Sequence, residues 1–372
     1  MEHKIEEIIF WGDAIKRSDA LIGGAVDDED KEINLMNALK LFAPGTSIRT
    51  ALDDIMRAKM GALIVLDKEN LSNIVDGGFR INAKFSAQKL VELAKMDGAI
   101  IVSNDAKKIL YANTLLSPNM KLKTRETGTR HKAAERTAKQ FNTVVIAVSE
   151  RKNKITLYFG EERYVLESSS EILRRATETL QILEKQKENF DDALLHLNVL
   201  EITNLATIMD ICNILQKMEM IRREAEMVKR YLVELGKEGI IVSMRLKELT
   251  KDFIKERDLI LRDYFGINSN KAEEVLCGMN FDFLLDTGNI SRLLFEELHD
   301  KPISPEGLRI LSKTNLLEKD VRAIIDNFRT LDKIFNSTRD DFVFVLKNET
   351  LADTFLENLE ALREKILAGK RI

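Results

Sequence analysis

Two short stretches carry residues whose types and spacing suit chemistry on a phosphate. The first runs from Glu126 to Ala138 and reads Glu-Thr-Gly-Thr-Arg-His-Lys-Ala-Ala-Glu-Arg-Thr-Ala. A small turn (Thr127, Gly128, Thr129) leads to a cation and an imidazole (Arg130, His131) and then to a run of good helix formers. That is the pattern of a loop feeding a helix N-terminus, where the first backbone N–H groups have no internal partner and the dipole favours an anion. Gly128 leaves room for close approach, and Arg130 adds a planar fork suited to phosphate oxygens. The same pattern also describes an ordinary loop-to-helix junction with surface charges. The second stretch is Asp97-Gly98-Ala99, between a helical pattern and an apolar run of strand length. A carboxylate there suits a hydrated Mg²⁺, which takes one or two carboxylates plus phosphate oxygens; the alternative is a turn aspartate bonded to its own backbone. Taken together, anion-binding amides with Arg130 and His131 on one side and Asp97 on the other form a minimal set for phosphoryl or nucleotidyl transfer. No GxxxxGK[ST] loop is present, which excludes a P-loop enzyme.

The elements that must position these residues are legible as periodicities. Residues 1–33, with the charge run Asp27-Asp28-Glu29-Asp30 and a lone Trp11, are expected to form a flexible extension. A helical pattern runs from Leu35 to Leu41 and is closed by Pro44-Gly45; Ser47 is placed to cap a second helix over residues 48–58. Apolar runs at 62–66, 99–102 and 143–148 read as buried strands, 108–113 as a further strand and 155–159 as a hairpin partner. Gly77-Gly78 marks a turn, and Ser86 caps a helix over 87–95. Strands interleaved with helices indicate an α/β domain over residues 34–168 with a central mixed sheet. From Ser169 to about Phe265 there is almost no glycine and no proline, and leucines recur at helical spacing, so residues 169–300 are expected to be a bundle of long helices. Methionines there (Met209, Met218, Met220, Met227, Met244) are expected as core filler. Pro302 and Pro305 punctuate the chain again, and residues 301–372 read as short helices joined by tight turns. The overall expectation is an α+β, mainly α molecule.

Composition excludes several classes. The chain has 372 residues, 44% hydrophobic and 32% charged, with a net charge of −4, so no global basic field draws it to nucleic acid or acidic lipid. Residues 301–372 hold 13 Lys and Arg against 12 Asp and Glu, without the bulk basic excess of a phosphate-holding DNA module. No apolar run is long enough to span a bilayer, and Met1–Glu7 lacks a basic-then-apolar signal pattern. Cys212 and Cys277 are far apart, and the four His residues form no HxxxH or HExxH pattern, which argues against structural zinc. A cytoplasmic protein with reduced thiols is expected.

The stretches Lys95-Met96-Asp97-Gly98-Ala99-Ile100 and Glu126-Thr127-Gly128-Thr129-Arg130-His131 resemble the DGA and RHR motifs of the diadenylate cyclase family. Gly77-Gly78-Phe79, residues 143–149 and Tyr231-Leu232-Val233-Glu234-Leu235-Gly236 agree with it. The order of parts is similar to the DNA-integrity-scanning branch of that family: cyclase domain, helical linker, helix-hairpin-helix domain. The likeness covers roughly residues 35–372 and is most specific over the cyclase domain. It implies condensation of two ATP into cyclic di-AMP with Mg²⁺ or Mn²⁺, a link to DNA damage and repair, and a homo-octamer in which cyclase domains meet face to face. It implies that Asp97 holds the metal and helps activate the 3′-hydroxyl, that Gly98 admits the nucleotide, and that Leu116 meets the adenine. Thr129, Arg130, His131, Lys132 and Ala133 would line the phosphates, and Ser149 would lie near the nucleotide.

Three positions depart from the family pattern. Lys132 replaces the second arginine of the RHR triplet, keeping the charge but losing the bidentate fork. Ala133 stands where a hydroxyl donor is common. The C-terminal hairpin, where a Gly-Ile-Gly-like turn would grip a DNA phosphate, reads Lys347-Asn348-Glu349-Thr350-Leu351-Ala352. With no glycine, and with Glu349 where the phosphate would come, DNA binding through residues 348–352 is expected to be weakened. The alternative reading is a DNA-structure-binding or scaffold protein with a weakened cyclase; the survival of Asp97, Gly98, Thr129, Arg130 and His131 together favours the enzyme.

Overall fold

The computed structural model describes residues 39–296 and 300–371. The extension expected over residues 1–33, and most of the helix expected from Leu35, lie outside the described residues; residues 39–41 are helical. The chain divides into two compact units, one made of the described residues up to Thr177 together with Lys229–Ser243, the other of Glu178–Val228 and the described residues from Met244 onward.

The first unit is built on an eight-stranded mixed sheet. In chain order it comprises α1 (Ser47–Arg57), β1 (Ala62–Leu66), a 3-10 turn (Leu71–Ile74), β2 (Val75–Asp76), β3 (Phe79–Lys84), α2 (Ala87–Leu93), β4 (Ala99–Val102), β5 (Lys108–Leu116), α3 (Thr129–Phe141), β6 (Val144–Ser149), β7 (Lys154–Phe159) and β8 (Glu162–Leu166). The strand order is β2-β5-β4-β1-β6-β7-β8, with β3 also paired to β5. Among the described residues only β1 and β4 run parallel; the other strand pairs are antiparallel. The central strands are buried along their whole length, as their unbroken apolar runs require. One face is covered by α1 and α2 through Ile48, Leu52, Ile55 and Leu90, the other by α3 through Ala134 and Ala138.

Local chemistry sets the helix starts. The Thr46 hydroxyl accepts from Arg49 N at 3.2 Å and caps α1, one residue before the Ser47 that the spacing suggested. Ser86 caps α2 by accepting from Lys89 N at 3.3 Å, as expected. β3 (Phe-Arg-Ile-Asn-Ala-Lys) is not visible as a strand because it is polar and largely exposed, and β8 (Glu-Arg-Tyr-Val-Leu) because it is short, half-buried and opens on two charged residues.

Three long helices follow, α4 (Ser169–Ile202), α5 (Ile208–Leu235) and α6 (Ile240–Phe265), as the leucine spacing predicted. The last turns of α5, with the Tyr231–Gly236 stretch, belong to the sheet unit, where Tyr164 donates to Glu234. In the helical unit a core of Phe190, Leu197, Ile211, Leu215, Met218, Phe253 and Ile260 is continued by α7 (Ser269–Gly278), α8 (Phe281–Leu284) and α9 (Thr287–Leu294). Met218 fills that core, but Met209, Met227 and Met244 are exposed, so methionine is filler at only some of these positions. The C-terminal part is five helices, α10 (Leu308–Leu311), α11 (Glu318–Phe328), α12 (Leu331–Phe335), α13 (Arg339–Leu346) and α14 (Glu349–Leu367), around Val321, Ile324, Phe342 and Phe355. Among the described residues no helix is long and apolar enough to cross a membrane, and neither Cys212 nor Cys277 is in a disulfide.

Candidate functional site

Strand register gathers the candidate residues at one end of the sheet. β1 pairs β4 with Leu63 opposite Ala99, so Gly61 is level with Asp97 just outside the strands. β4 pairs β5 with Ala99 opposite Thr114, which brings Leu116 to the same level. β1 pairs β6 with Ala62 opposite Val148, which places Ser149 beside Gly61, and Ser149 in turn pairs with Lys154. Leu116, Asp97, Gly61 and Ser149 therefore form a row across neighbouring strands, each step about 5 Å.

The N-terminus of α3 comes to this row. The Arg130 guanidinium lies directly on the Gly61 backbone: a Cβ at Gly61 would fall 2.0 Å from Arg130 Nη1. Gly61 is therefore needed for Arg130 to sit there, a role that its sequence context does not reveal. Gly128 caps α3 without a side chain, so the leading amides of the helix have no capping acceptor. Its φ of −83° is open to any residue and a Cβ would meet only His131 Cδ2 at 3.9 Å, so its contribution is room. Gly98 is different: its φ is +93°, and a Cβ would lie 2.8 Å from Thr114 O and 2.9 Å from Asn113 C. Only glycine lets the chain turn into β4 pressed against β5, and that turn presents Asp97 at the sheet end.

The loop between β5 and α3 is stitched to the helix it feeds. Gln140 accepts from Asn119 N at 2.9 Å, Arg136 donates to Leu122 O at 3.0 Å and Lys139 to Lys123 O at 3.2 Å, while Thr124 and Arg125 N donate to Glu135. A loop tied at these points presents its last residues, Glu126 to Gly128, in a defined place.

The electrostatics favour an anion. Asp97 is exposed, and its carboxylate makes no hydrogen bond or ion pair with the described residues. Arg130 and Lys132 are half-buried and have no carboxylate partner there either. Lys132 does give its backbone N–H to Gly128 O at 2.9 Å, inside the helix ladder. Ala133 packs partly buried against the core under α3. The Ser149 hydroxyl accepts from Lys152 N at 3.3 Å, which brings a further lysine to this end. Leu116 is 8% exposed, whereas its neighbour Leu115 is 62% exposed.

His131 is held by groups that local sequence does not connect to it. Its Nδ1 lies 2.9 Å from the Tyr158 hydroxyl, which donates to Glu126 Oε1 at 2.8 Å; Arg163 Nε is 2.8 Å from the same oxygen. Burial holds the imidazole below its ordinary value, opposed by Glu126 and reinforced by Lys152, Arg130 and Arg163. Burial, with the hydrogen bond to Glu126, pushes the Tyr158 phenol well up, so it stays protonated.

A divalent cation fits this donor set. Among the described residues no cluster of three or more His, Cys, Asp or Glu could cage a metal. A single hard carboxylate without a protein partner, beside a place for phosphate oxygens, is what Mg²⁺ or Mn²⁺ uses when a polyphosphate supplies the other ligands.

Two family models match the chain. Residues 49–163 match the model described as DisA bacterial checkpoint controller nucleotide-binding, and residues 166–297 the model described as DisA bacterial checkpoint controller linker region. The DNA integrity scanning protein DisA of Clostridioides difficile (strain 630) is 41% identical over 351 residues, covering 91% of this chain and 98% of that protein. The proteins of the same name from Clostridium kluyveri and Acetivibrio thermocellus are 42% and 39% identical, each covering 92% of this chain and 99% and 98% of their own lengths.

Proposed function

The chain belongs to the DisA family of diadenylate cyclases, and on that premise we propose that it condenses two ATP molecules into cyclic di-AMP with release of two diphosphates. The observation that carries this reading is the row at the sheet end, where an unpaired carboxylate, Asp97, is brought level with an unpaired guanidinium, Arg130, at the open start of α3. In each half-reaction a 3′-hydroxyl attacks an α-phosphorus, the bond to the β-phosphate oxygen breaks and diphosphate leaves. Asp97 holds the divalent cation. That cation, when bound, supplies charge neutralisation on the triphosphate and polarises the reacting phosphate. The leading amides of α3 and the side chains of Thr129, Arg130, His131 and Lys132 orient the triphosphate and oppose the charge that builds on it. Gly98 lets the nucleotide approach the backbone, with Leu116 and Ser149 flanking it.

A cyclic product with two identical bonds is simplest to make across a two-fold axis. β5 exposes Tyr111, Asn113 and Leu115 alternately with buried Ala112, Thr114 and Leu116, and Met96 is exposed next to Asp97. Tyr111, Leu115 and Met96 put apolar surface beside the site, which suits a second copy of the chain bringing its own ATP, within an assembly for which the octamer is the natural proposal.

The reading is tested by incubating the purified chain with ATP and Mg²⁺ or Mn²⁺ and separating the products. Cyclic di-AMP and diphosphate in a ratio of one to two are expected; ADP, AMP or unchanged ATP would contradict it. Because two copies complete the site, activity per protomer should also fall on dilution.

The relatives' name includes DNA integrity scanning, and a link to DNA is proposed for this chain in weakened form. The turn between α13 and α14 places Lys347 at φ +52°. Asn348 caps α14 by accepting from Leu351 N at 3.2 Å, and Glu349 is exposed at the helix start. One leading amide is thus already satisfied, and an anion stands where a phosphate would approach. Weak binding of branched DNA at low salt is expected in a mobility-shift assay; tight binding abolished by substituting residues 348–352 would refute it.

A further inference from the structure

We propose that Glu126 and Tyr158 are positioning residues that keep the His131 proton on Nδ1 and so reserve Nε2 as the nitrogen that meets the bound triphosphate, an inference that rests on the cyclase reading of this site. The assignment follows from counting protons along the chain of contacts. A carboxylate has none to give, so at the 2.8 Å contact with Glu126 Oε1 the Tyr158 hydroxyl is the donor. A phenol has one proton. Having given it to Glu126, its oxygen can only accept at the 2.9 Å contact with His131, so Nδ1 carries a proton. In the neutral ring Nε2 is then a bare acceptor, and it makes no hydrogen bond with the described residues.

The groups that face this imidazole come from five elements: Glu126 on the loop before α3, Arg130 on α3 itself, Lys152 in the turn after β6, Tyr158 on β7 and Arg163 on β8. Arg163 lies against both partners of that contact, its Nε 2.8 Å from Glu126 Oε1 and its guanidinium donating also toward the Tyr158 oxygen, and so fixes the acceptor that starts the relay. The ring of Tyr158 is fully buried in the core under α3, so the hydroxyl has a fixed address. When a triphosphate arrives, its charge draws a proton from solvent onto Nε2, which then donates to a phosphate oxygen, while Nδ1–H continues to lean on the Tyr158–Glu126 pair. An imidazole already carrying its proton on Nε2 would offer a donor at any pH; the relay instead makes donation to phosphate depend on proton uptake.

The two relay residues can be tested on the full chain. In Glu126→Gln the amide can donate to the Tyr158 oxygen, which turns the phenol proton toward Nδ1 and moves the ring proton to Nε2. Solid-state ¹⁵N spectra of histidine-labelled protein, with His131 assigned by its loss in His131→Gln, read the tautomer without reference to turnover. The expected result is the Nδ1–H form in the wild type at alkaline pH and the Nε2–H form in Glu126→Gln. Tyr158→Phe keeps the buried ring and removes only the hydroxyl, and should give a mixture. In kinetics, kcat/KM of the wild type should fall as pH rises through the His131 titration, and that fall should flatten in Glu126→Gln, whose Nε2–H donates in both protonation states. Both variants should lose roughly ten- to a hundredfold in kcat/KM, the size typical of groups that orient a functional imidazole. An Nε2–H ring in the wild type, or a tautomer unchanged in Glu126→Gln, would overturn the relay. A wild type that makes no cyclic product would instead overturn the cyclase reading, leaving the spectra to decide the relay alone.

Discussion

Arg130 and Arg309 are both drawn off the surface, yet one has no carboxylate to hold and the other is surrounded by them. In the sheet unit, Arg130 rests on Gly61, and Asp97, level with it, is also without a partner. In the helical unit, Arg309 is completely buried; it donates to Asn198 Oδ1 at 2.6 Å, to Glu256 Oε1 at 3.3 Å and to Glu201. Around it, the Asp263 carboxylate accepts from the amides of Gly307, Leu308 and Arg309 at 2.7, 2.7 and 3.0 Å, and Tyr264 donates to Glu201. Charges that answer one another inside the protein hold elements together; charges left unanswered at a sheet end are set for a ligand that brings the opposite sign. The same residue type thus serves architecture in one unit and, under the proposed function, recognition in the other.

The largest expected effect breaks this contrast by making the same substitution at both arginines. Arg309→Met removes one partner from a buried network and should lower stability by about 3–5 kcal/mol, seen as a lower urea midpoint. Arg130→Met should change the midpoint little but weaken ATP binding; equal losses of stability at the two sites would erase the distinction. Next in size, Asp97→Asn keeps the shape and removes the charge. Because Asp97 bonds to nothing in the described chain, its unfolding curve should match wild type while product formation falls about 10²–10³-fold.

The two units should also answer pH in opposite senses. Burial and Glu201 push the Asp263 carboxyl up to about 7, against the pull of Arg309 and the amides. Between its ordinary value of 3.8 and about 7 the folded state holds a proton that the unfolded chain releases. Its contribution is therefore full below that window and lost as pH rises through it. His131 is shifted down, so the unfolded chain binds its proton more readily, and stability rises with pH as the folded group loses its proton, levelling off above its ordinary value of 6.5. Urea midpoints of wild type relative to Asp263→Asn and to His131→Gln, measured from pH 4 to 8, should show these two opposite slopes. The smallest expected effect is at the hairpin. Lys347 occupies a left-handed position that glycine takes without strain, so Lys347→Gly should raise stability by about 0.5–1 kcal/mol and ease phosphate approach, read by melting and mobility shift.

What sequence revealed and what it concealed divides along the same line. β1 and β4 were legible to the residue because both faces of each strand are buried, leaving an unbroken apolar run. β3 and β8 were not, since strands that are exposed or only half-buried borrow their order from a neighbour rather than from their own pattern. In the site, Asp97-Gly98 and Thr129-Arg130-His131 stood out because their spacing is local. Gly61, Tyr158 and Arg163 did not, because register and the hairpins, not sequence proximity, bring them to Arg130 and His131. Glu126 was within the stretch that drew attention, but its acceptor role needs Tyr158 to be seen. The Arg309 network was hidden for a related reason: Glu201, Glu256 and Asp263 on long helices, and Arg309 on a single short turn, look like surface charges until packing buries them against each other.

The central claim, that Asp97 and the start of α3 act on one triphosphate, is tested most directly by crystallising the full chain with Mn²⁺ and 3′-deoxyadenosine triphosphate, which lacks the attacking hydroxyl and cannot cyclise. The expected map has the anomalous manganese peak on the Asp97 carboxylate and the phosphates on the amides at Thr129–His131, with Arg130 alongside. A nucleotide bound away from this end of the sheet, or a metal held without Asp97, would contradict it.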